Sequence, residues 1–121
     1  MLCPKCKNNM EAVEFEGVEV DRCTNCKGIW FDAGEDGWLL GQDAADAIDI
    51  GDPETGRATN QIDRYRCPRC DGGMIRRTDP KQSGIRYEEC SSCRGVYFDA
   101  GEFTDLVKDT LAAHLTERCR T

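Results

Sequence analysis

Eight of the nine cysteines stand in four Cys-x-x-Cys pairs, which begin at residues 3, 23, 67 and 90. A two-residue gap bends the backbone so that both thiolates of a pair can face one tetrahedral ion. Sixteen residues separate the first pair from the second, and nineteen separate the third from the fourth, as in four-cysteine zinc sites. The pattern therefore predicts two zinc ions per chain, held by Cys3, Cys6, Cys23, Cys26, Cys67, Cys70, Cys90 and Cys93.

The second half of each site recurs with an offset of 67 residues: CTNCKGIWFDAGE occupies 23–35 and CSSCRGVYFDAGE occupies 90–102. Between the cysteine pairs of the first copy, apolar residues alternate with charges, which predicts a half-buried hairpin turning near Gly17. The second copy predicts a hairpin with a polar turn at 79–84. A short apolar strand follows each second pair, and Gly28 and Gly95 are expected to adopt positive φ beside it.

Each copy then leads into a predicted helix. Asp32 and Asp99 could act as N-caps, with Glu35 and Glu102 as the capping-box partners three residues later. Apolar residues recur at spacings of three and four, which favours helices that pack on each other. The weaker stripe of the first copy is Leu39, Leu40, Ala44, Ala47 and Ile48, and that of the second is Phe103, Leu106, Val107, Thr110, Leu111, His114 and Leu115.

At these residues the chain resembles the bacterial transcription-factor-IIB-type zinc-ribbon family. That family has a Cys-Pro-x-Cys pair, a hairpin, and then Cys-x-x-Cys-x-Gly-x-Trp-Phe-Asp-x-Gly-Glu. The first copy matches almost throughout, and the second has Tyr97 in place of the tryptophan. Asp36 and Phe103 stand where the family commonly has leucine. The resemblance covers roughly residues 2–40 and 66–107. It implies zinc ribbons with one structural zinc each, and its name implies transcription.

The predicted fold class is a small metal-stabilised α+β protein of two tandem zinc ribbons, each a short antiparallel hairpin or three-stranded sheet followed by an α-helix. Residues 1–50 are the predicted first ribbon and helix, 51–64 a polar linker, and 65–121 the second ribbon and C-terminal helix. Units of this size bury little apolar surface, so metal is expected to supply much of their stability.

Charge and composition restrict the partners and the compartment. The net charge is −7, with −8 in residues 1–60 and +1 in residues 61–121. Such an acidic chain disfavours general binding to nucleic acid. It has no apolar run long enough to cross a membrane. Cys3 leaves no room for a secretory signal before the first cysteine pair, and paired cysteines in a reducing compartment bind metal more often than they form disulfides, so we expect a cytoplasmic protein.

Three functional hypotheses follow. No catalytic set of residues is present, and a four-cysteine zinc site is closed to substrate, so an enzyme is not expected. The leading hypothesis is a zinc-binding adaptor that acts through protein–protein contacts, in transcription or translation. The first alternative is a nucleic-acid-binding protein that uses the arginine-rich second ribbon: Arg64, Arg66, Arg69, Arg76, Arg77, Arg86 and Arg94. The second alternative is a thiol-redox or zinc-responsive switch.

Some further residues carry two interpretations each. Trp30, Phe31, Tyr97 and Phe98 are expected to cover the cysteine pairs and helices; the alternative is an exposed platform for stacking. The favoured interpretation of Cys119, the odd thiol, is an ordinary free cysteine, against a reactive or dimer-forming thiol, and that of His114 is a packing residue, against a metal ligand.

Overall fold

The computed structural model describes residues 1–15, 17–32, 42–62, 65–78 and 86–107. These residues form one antiparallel sheet and three helices, so the predicted α+β class is confirmed. The strands are β1 (Met10–Phe15), β2 (Val18–Cys23), β3 (Ile29–Phe31), β4 (Met74–Thr78), β5 (Arg86–Cys90) and β6 (Val96–Phe98). The helices are α1 (Gln42–Ile48), α2 (Pro53–Asn60) and α3, which begins at 102 and is described to 107.

The two repeats join edge to edge into a single six-stranded sheet, in the order β1-β2-β3-β6-β5-β4. Each repeat contributes a hairpin and a short third strand, and the two third strands pair antiparallel. In that pairing Trp30 lies opposite Tyr97, its own counterpart in the repeat. An approximate twofold axis therefore passes between these two residues, and corresponding parts of the repeats face each other across it.

The hairpins form where the alternation of apolar and charged residues predicts them. Phe15 pairs with Val18, and Gly17 has a φ of 84°, so the predicted turn near Gly17 is confirmed. A left-handed residue is needed in so tight a connection, and glycine adopts that conformation without strain. β4 and β5 form the second hairpin. Its predicted turn at 79–84 lies outside the described residues.

The aromatic strands at the centre of the sheet are covered on both faces. Phe31 and Phe98 pack against the helices, in one cluster with Phe103. Trp30 and Tyr97 point to the opposite face, where the cysteines lie. All four central aromatic side chains are 0% exposed, so they cover the core and the cysteine clusters as predicted. The alternative of an exposed stacking platform is wrong for these four residues.

α1 packs on the first ribbon through a face that the sequence pattern predicted only in part. Ile48 is buried, as predicted, and Ala45 is buried beside it. Ala47 was predicted to lie on the apolar stripe, but it is exposed. Residues three apart share one side of a helix, so a face defined by positions 45 and 48 turns position 47 outward. Leu39 and Leu40 lie outside the described residues.

The polar segment 51–64, predicted as a linker, contains the helix α2. Its start is built locally: the side chain of Asp52 accepts a hydrogen bond from the N–H of Glu54 at 2.9 Å, and Pro53 occupies the first turn. The helix packs through its backbone, because a Cβ added to Gly56 would lie 1.9 Å from the carbonyl oxygen of Ala100. A contact through glycine leaves no apolar stripe, so the composition did not reveal it. The division into domains stays a prediction.

The start of α3 is capped by the other repeat. The Glu102 side chain accepts from the N–H of Asp99 at 3.0 Å, as the capping box predicts. The Asp99 carboxylate was predicted to be the N-cap acceptor, and this is wrong. Asp49 accepts from the N–H groups of Gly101 and Thr104 instead, each at 2.9 Å.

The rest of the second predicted stripe lies beyond the described part of α3. Phe103 and Val107 are buried, as predicted, and Leu106 packs partly buried against the same core. Residues 108–121, with His114 and Cys119, lie outside the described residues, as does the predicted start of the first helix at Glu35.

Candidate metal centres

The first cysteine cluster joins a loop to the end of a hairpin. Cys3 and Cys6 precede β1, Cys23 ends β2, and Cys26 lies in the loop before β3. The Sγ atoms of Cys3 and Cys26 are 3.8 Å apart, and those of Cys6 and Cys23 are 3.3 Å apart. All four sulfurs lie within 4.8 Å of one another.

The second cluster has the same construction, one repeat later. Cys67 and Cys70 precede β4, Cys90 ends β5, and Cys93 precedes β6. The sulfurs of Cys67 and Cys93 are 3.6 Å apart, and those of Cys70 and Cys90 are 3.4 Å apart. The structure thus gathers the eight predicted ligands into two separate groups of four, in sequential order along the chain.

Both groups fit a zinc ion. A tetrahedral zinc with Zn–S bonds of about 2.3 Å places its sulfurs about 3.8 Å apart. The observed separations of 3.3 to 3.8 Å are close to this edge. Thiolates are also the ligands that structural zinc sites prefer, and four of them close the coordination sphere. The two four-cysteine groups therefore suit two zinc ions per chain, each in a closed, structural site.

Backbone donors orient the sulfurs at the end of each hairpin. The N–H groups of Asn25 and Cys26 both lie 3.4 Å from the sulfur of Cys23. The second cluster repeats this arrangement around Cys90, again at 3.4 Å. Such N–H···S contacts stabilise a thiolate, as outer-sphere donors do in metal sites.

Hydrogen bonds to the sulfurs lower the pKa of Cys3 and Cys6 in the first cluster and of Cys90 in the second while protons rather than metal occupy the sulfurs. The thiol of Cys26 donates to Cys3 and lowers the pKa of Cys3 to about 4, against the opposing effect of burial. Burial acts to raise the pKa of Cys90, but backbone N–H donors outweigh it and the pKa falls to about 6. Burial raises the pKa of Cys67 to about 12. Each cluster thus offers an incoming cation at least one sulfur that ionises readily.

The glycines after the second pairs serve a different purpose from the predicted one. Positive φ falls one residue earlier, at Lys27 (63°) and Arg94 (66°), and Gly28 and Gly95 do not have it. These glycines are required by close packing instead. A Cβ on Gly28 would lie 1.8 Å from the hydroxyl oxygen of Tyr97, and one on Gly95 would lie 2.1 Å from Cζ2 of Trp30. Trp30 and Tyr97 therefore each pack directly on the glycine of the opposite ribbon.

Gly95→Ala is expected to destabilise the zinc-loaded protein by about 1–3 kcal/mol, because Trp30 must leave its position to admit the methyl group. Gly73→Ala is the matched control, since its Cβ would have no neighbour closer than 4.0 Å. Urea unfolding with zinc in excess measures both. Equal midpoints for the two variants would show that the contact between Trp30 and Gly95 is not tight.

Tyr97 of the second ribbon reaches across the axis to the first cluster. Its hydroxyl lies 3.4 Å from the sulfur of Cys3 and 3.5 Å from that of Cys26. Burial, and then the nearby sulfurs, raise the pKa of Tyr97 far above its usual value, so the hydroxyl keeps its proton. Thiolates bound to zinc can only accept, so the phenol is the donor, shared between two ligands of the other ribbon.

Trp30 takes the corresponding place over the second cluster, but its N–H donor does not point to a sulfur. Its ring belongs to the buried group that includes Cys67 and Cys90. The indole N–H donates to the Asp32 carboxylate at 3.0 Å, not to a sulfur. The departure from the family pattern at Tyr97 thus changes the chemistry of the first cluster, which lies in the other repeat.

A buried lysine ties the first ribbon to the second. Lys5 stands between two zinc-ligand cysteines, and its ammonium group lies 2.7 Å from both the Glu88 and the Asp99 carboxylates. Its side chain is 0% exposed, and it also donates to the carbonyl of Thr59 in α2 at 3.1 Å. Burial outweighs the attraction of Lys5 and raises the pKa of Glu88. This ion cluster therefore joins both repeats and the helix between them.

The same contact recurs across the axis in an exposed form. Arg69 holds the position of Lys5 in the second ribbon, and it lies 2.9 Å from Asp32 and 2.8 Å from Asp21 of the first. The Arg69 side chain is 44% exposed. Neither cation was predicted from the sequence to have a role. The available signal was that Lys5 and Arg69 hold one position of the repeat, and that the acids also correspond in pairs.

Glu102 holds a proton over much of the pH range. Burial, together with the adjacent Asp99 carboxylate, raises the pKa of Glu102 to about 9. A folded-state pKa above that of the unfolded chain adds stability that is complete below the ordinary glutamate pKa and is lost as the pH rises through the folded value. The relevant window is therefore from mildly acidic pH to about pH 9.

Glu102→Gln is expected to flatten the fall in stability of the zinc-loaded protein between about pH 6 and pH 9, because glutamine imitates the protonated carboxyl at all pH values. Glu54→Gln is the control, since that carboxylate is 82% exposed. Denaturation midpoints at the two pH values measure the effect. Because zinc binding to eight thiolates itself depends on pH, the comparison is between the natural chain and Glu102→Gln, and an identical change of midpoint with pH in both contradicts the assignment.

Comparisons with known proteins agree with this geometry. Residues 2–35 match the model of the transcription factor zinc-finger family, which is the transcription-factor-IIB-type zinc ribbon. No curated protein and no solved structure matches the chain. No helix of the described ranges has the length and apolar character needed to cross a membrane. Residues 2–35 thus match a zinc ribbon of the transcription-factor-IIB type, and the second cysteine cluster, within residues 67–93, suggests a second ribbon.

Proposed function

We propose that this chain is a non-catalytic zinc-binding adaptor that acts through protein–protein contacts. The observation that carries the proposal is the closure of both metal centres by four cysteines. A zinc ion with four thiolate ligands has no position for water or substrate, so it stabilises a surface and does not catalyse a reaction. The match of residues 2–35 to a transcription factor zinc-finger family makes the transcription machinery the first candidate partner.

The acidic hairpin of the first ribbon, defined here by Glu14 and Glu19, is the surface proposed to meet that partner. These two carboxylates are exposed and lie directly opposite each other on β1 and β2. Like charges at such positions destabilise a hairpin, so their presence favours a role outside folding. Residues 1–60 carry a net charge of −8, and a protein with a basic surface is the complementary partner.

Nucleic-acid binding is the second candidate, and one observation favours it. Arg77 and Arg94 both pair with the single carboxylate of Glu89, at 3.2 and 3.0 Å. That arrangement leaves an excess positive charge on the second ribbon, with side chains that are 45% and 65% exposed. The ion pairs and the acidic first half reduce the attraction for phosphate, so this candidate ranks below the adaptor.

We also propose a cytoplasmic location, since eight thiolates must stay reduced to hold two zinc ions.

The adaptor proposal is tested with three zinc-loaded baits: the natural chain, Glu14→Gln with Glu19→Gln, and Arg77→Gln with Arg94→Gln. Capture from nuclease-treated cell extract should yield a protein that the first double variant loses and the second retains. A parallel titration with single- and double-stranded nucleic acid at two salt concentrations should show no binding. Binding that weakens with salt and is lost with the arginine variant would replace the adaptor by the second candidate.

A further inference from the structure

The two metal centres share one cysteine spacing but differ in how far solvent reaches their sulfurs. In the first centre Cys3 and Cys23 are 0% exposed and Cys26 is 3% exposed. In the second centre Cys70 is exposed, although Cys67 and Cys90 are buried. A competing ligand or metal must approach a sulfur or the ion itself. Cys6 of the first centre is half-buried, so the second centre is the more open of the two, on the side of Cys70.

The centres also differ in the side chains that donate to their sulfurs. The first receives the Tyr97 hydroxyl on two ligands, and the Asn8 amide lies 3.4 Å from the sulfur of Cys6. Among the described residues, no side chain other than cysteine itself donates to Cys70 or Cys93. Hydrogen bonds to a thiolate stabilise its charged form, so three thiolates of the first centre, those of Cys3, Cys6 and Cys26, have a stabilising donor that the second centre lacks.

The repeat explains how this difference arises. Gly72 stands where the first ribbon has Asn8, so the second centre lacks the amide donor. Trp30 stands where the second ribbon has Tyr97, and its N–H is bound to Asp32. Two differences between the copies thus give side-chain donors to the first centre and not to the second.

We infer that the two zinc sites have different duties: the first retains its zinc, and the second exchanges its zinc with competing soft metals and thiolate ligands. The difference is set by Tyr97 and Asn8, which act as positioning residues for the ligands of the first centre. Such exchange is an activity beyond that of an adaptor. As a result, the metal occupancy of the second ribbon follows the concentration of available zinc.

Cadmium exchange tests the inference while both sites stay filled, so the fold is preserved. One equivalent of the NMR-active cadmium isotope is added to the chain loaded with two zinc ions, and correlations to the cysteine β-protons assign each cadmium. Cadmium is expected to enter the second cluster first, at Cys67, Cys70, Cys90 and Cys93. Its rate of entry at the first cluster should be lower by about tenfold or more. Equal rates, or earlier entry at the first cluster, would overturn the inference.

Two variants test the donors, and one serves as the control. Tyr97→Phe should speed cadmium entry at the first cluster by about 10- to 100-fold, and Asn8→Gly should do so more weakly. Tyr65→Phe should not, since the buried hydroxyl of Tyr65 has no hydrogen-bond partner among the described residues. Asn8 is exposed, so Asn8→Gly is expected to fold. It still tests the role of the donors if Tyr97→Phe fails to fold. If cadmium enters the first cluster of every folded variant at the same rate as in the natural chain, the proposed role of the donors is overturned.

Discussion

Substituting Cys23 by serine is expected to unfold both ribbons, not only the one that loses its zinc. Structural zinc supplies about 10–16 kcal/mol of apparent binding free energy, whereas a domain has about 5–15 kcal/mol of total stability. The first cluster supports the second ribbon directly, because the Tyr97 hydroxyl rests on its sulfurs. β3 also pairs with β6, so loss of the first ribbon exposes the centre of the sheet.

Amide NMR spectra and zinc content measure this outcome. The Cys23→Ser spectrum should lose the dispersed signals of residues 86–98 together with those of the first hairpin. Cys119→Ser is the control, since this cysteine belongs to neither predicted zinc site, and it should keep two zinc ions and the natural spectrum. A variant that retains one zinc ion and an intact second ribbon would show that the repeats fold independently.

Lys5→Met should cost about 3–5 kcal/mol, because it leaves the buried Asp99 carboxylate without its cation and the buried Glu88 carboxylate with only Arg76, 3.7 Å away. Glu88 is 1% exposed and Asp99 is 0% exposed, so water cannot replace the ammonium group. The exposed counterpart Arg69 provides the matched comparison. Arg69→Met removes contacts of the same kind from a surface position and should cost about 1 kcal/mol or less.

Guanidinium unfolding of the two variants, each with two zinc ions bound, separates buried from exposed pairing. The midpoint of Lys5→Met should fall well below that of Arg69→Met. The carbonyl of Thr59 should lose the hydrogen bond from Lys5 in the first variant only, whereas the Thr59 hydroxyl still has the Asp99 carboxylate as its acceptor. Indistinguishable midpoints would mean that the buried ion cluster contributes no more than a surface pair.

The amino-acid sequence by itself determined the metal chemistry and the local elements. Paired cysteines bind zinc because of how few residues separate them, and the hairpin at Gly17 follows from alternation and a turn residue. These features depend on residues that are close together in the chain, and each pattern occurs in both copies of the repeat. The glutamate arm of the capping box at Glu102 was predictable for the same reason.

Only the tertiary structure decided how the copies meet, because contacts across the axis join residues far apart in the chain. Lys5 and Glu88 are 83 positions apart, and Tyr97 lies 94 positions from Cys3. No local pattern announces such pairings. Gly28 and Gly95 were predicted to be turn glycines, but the structure requires them because the aromatic side chains of the opposite ribbon fill the space beside them. The cysteines alone predict two similar zinc sites, and it is the packing of each ribbon on the other that makes those sites unequal.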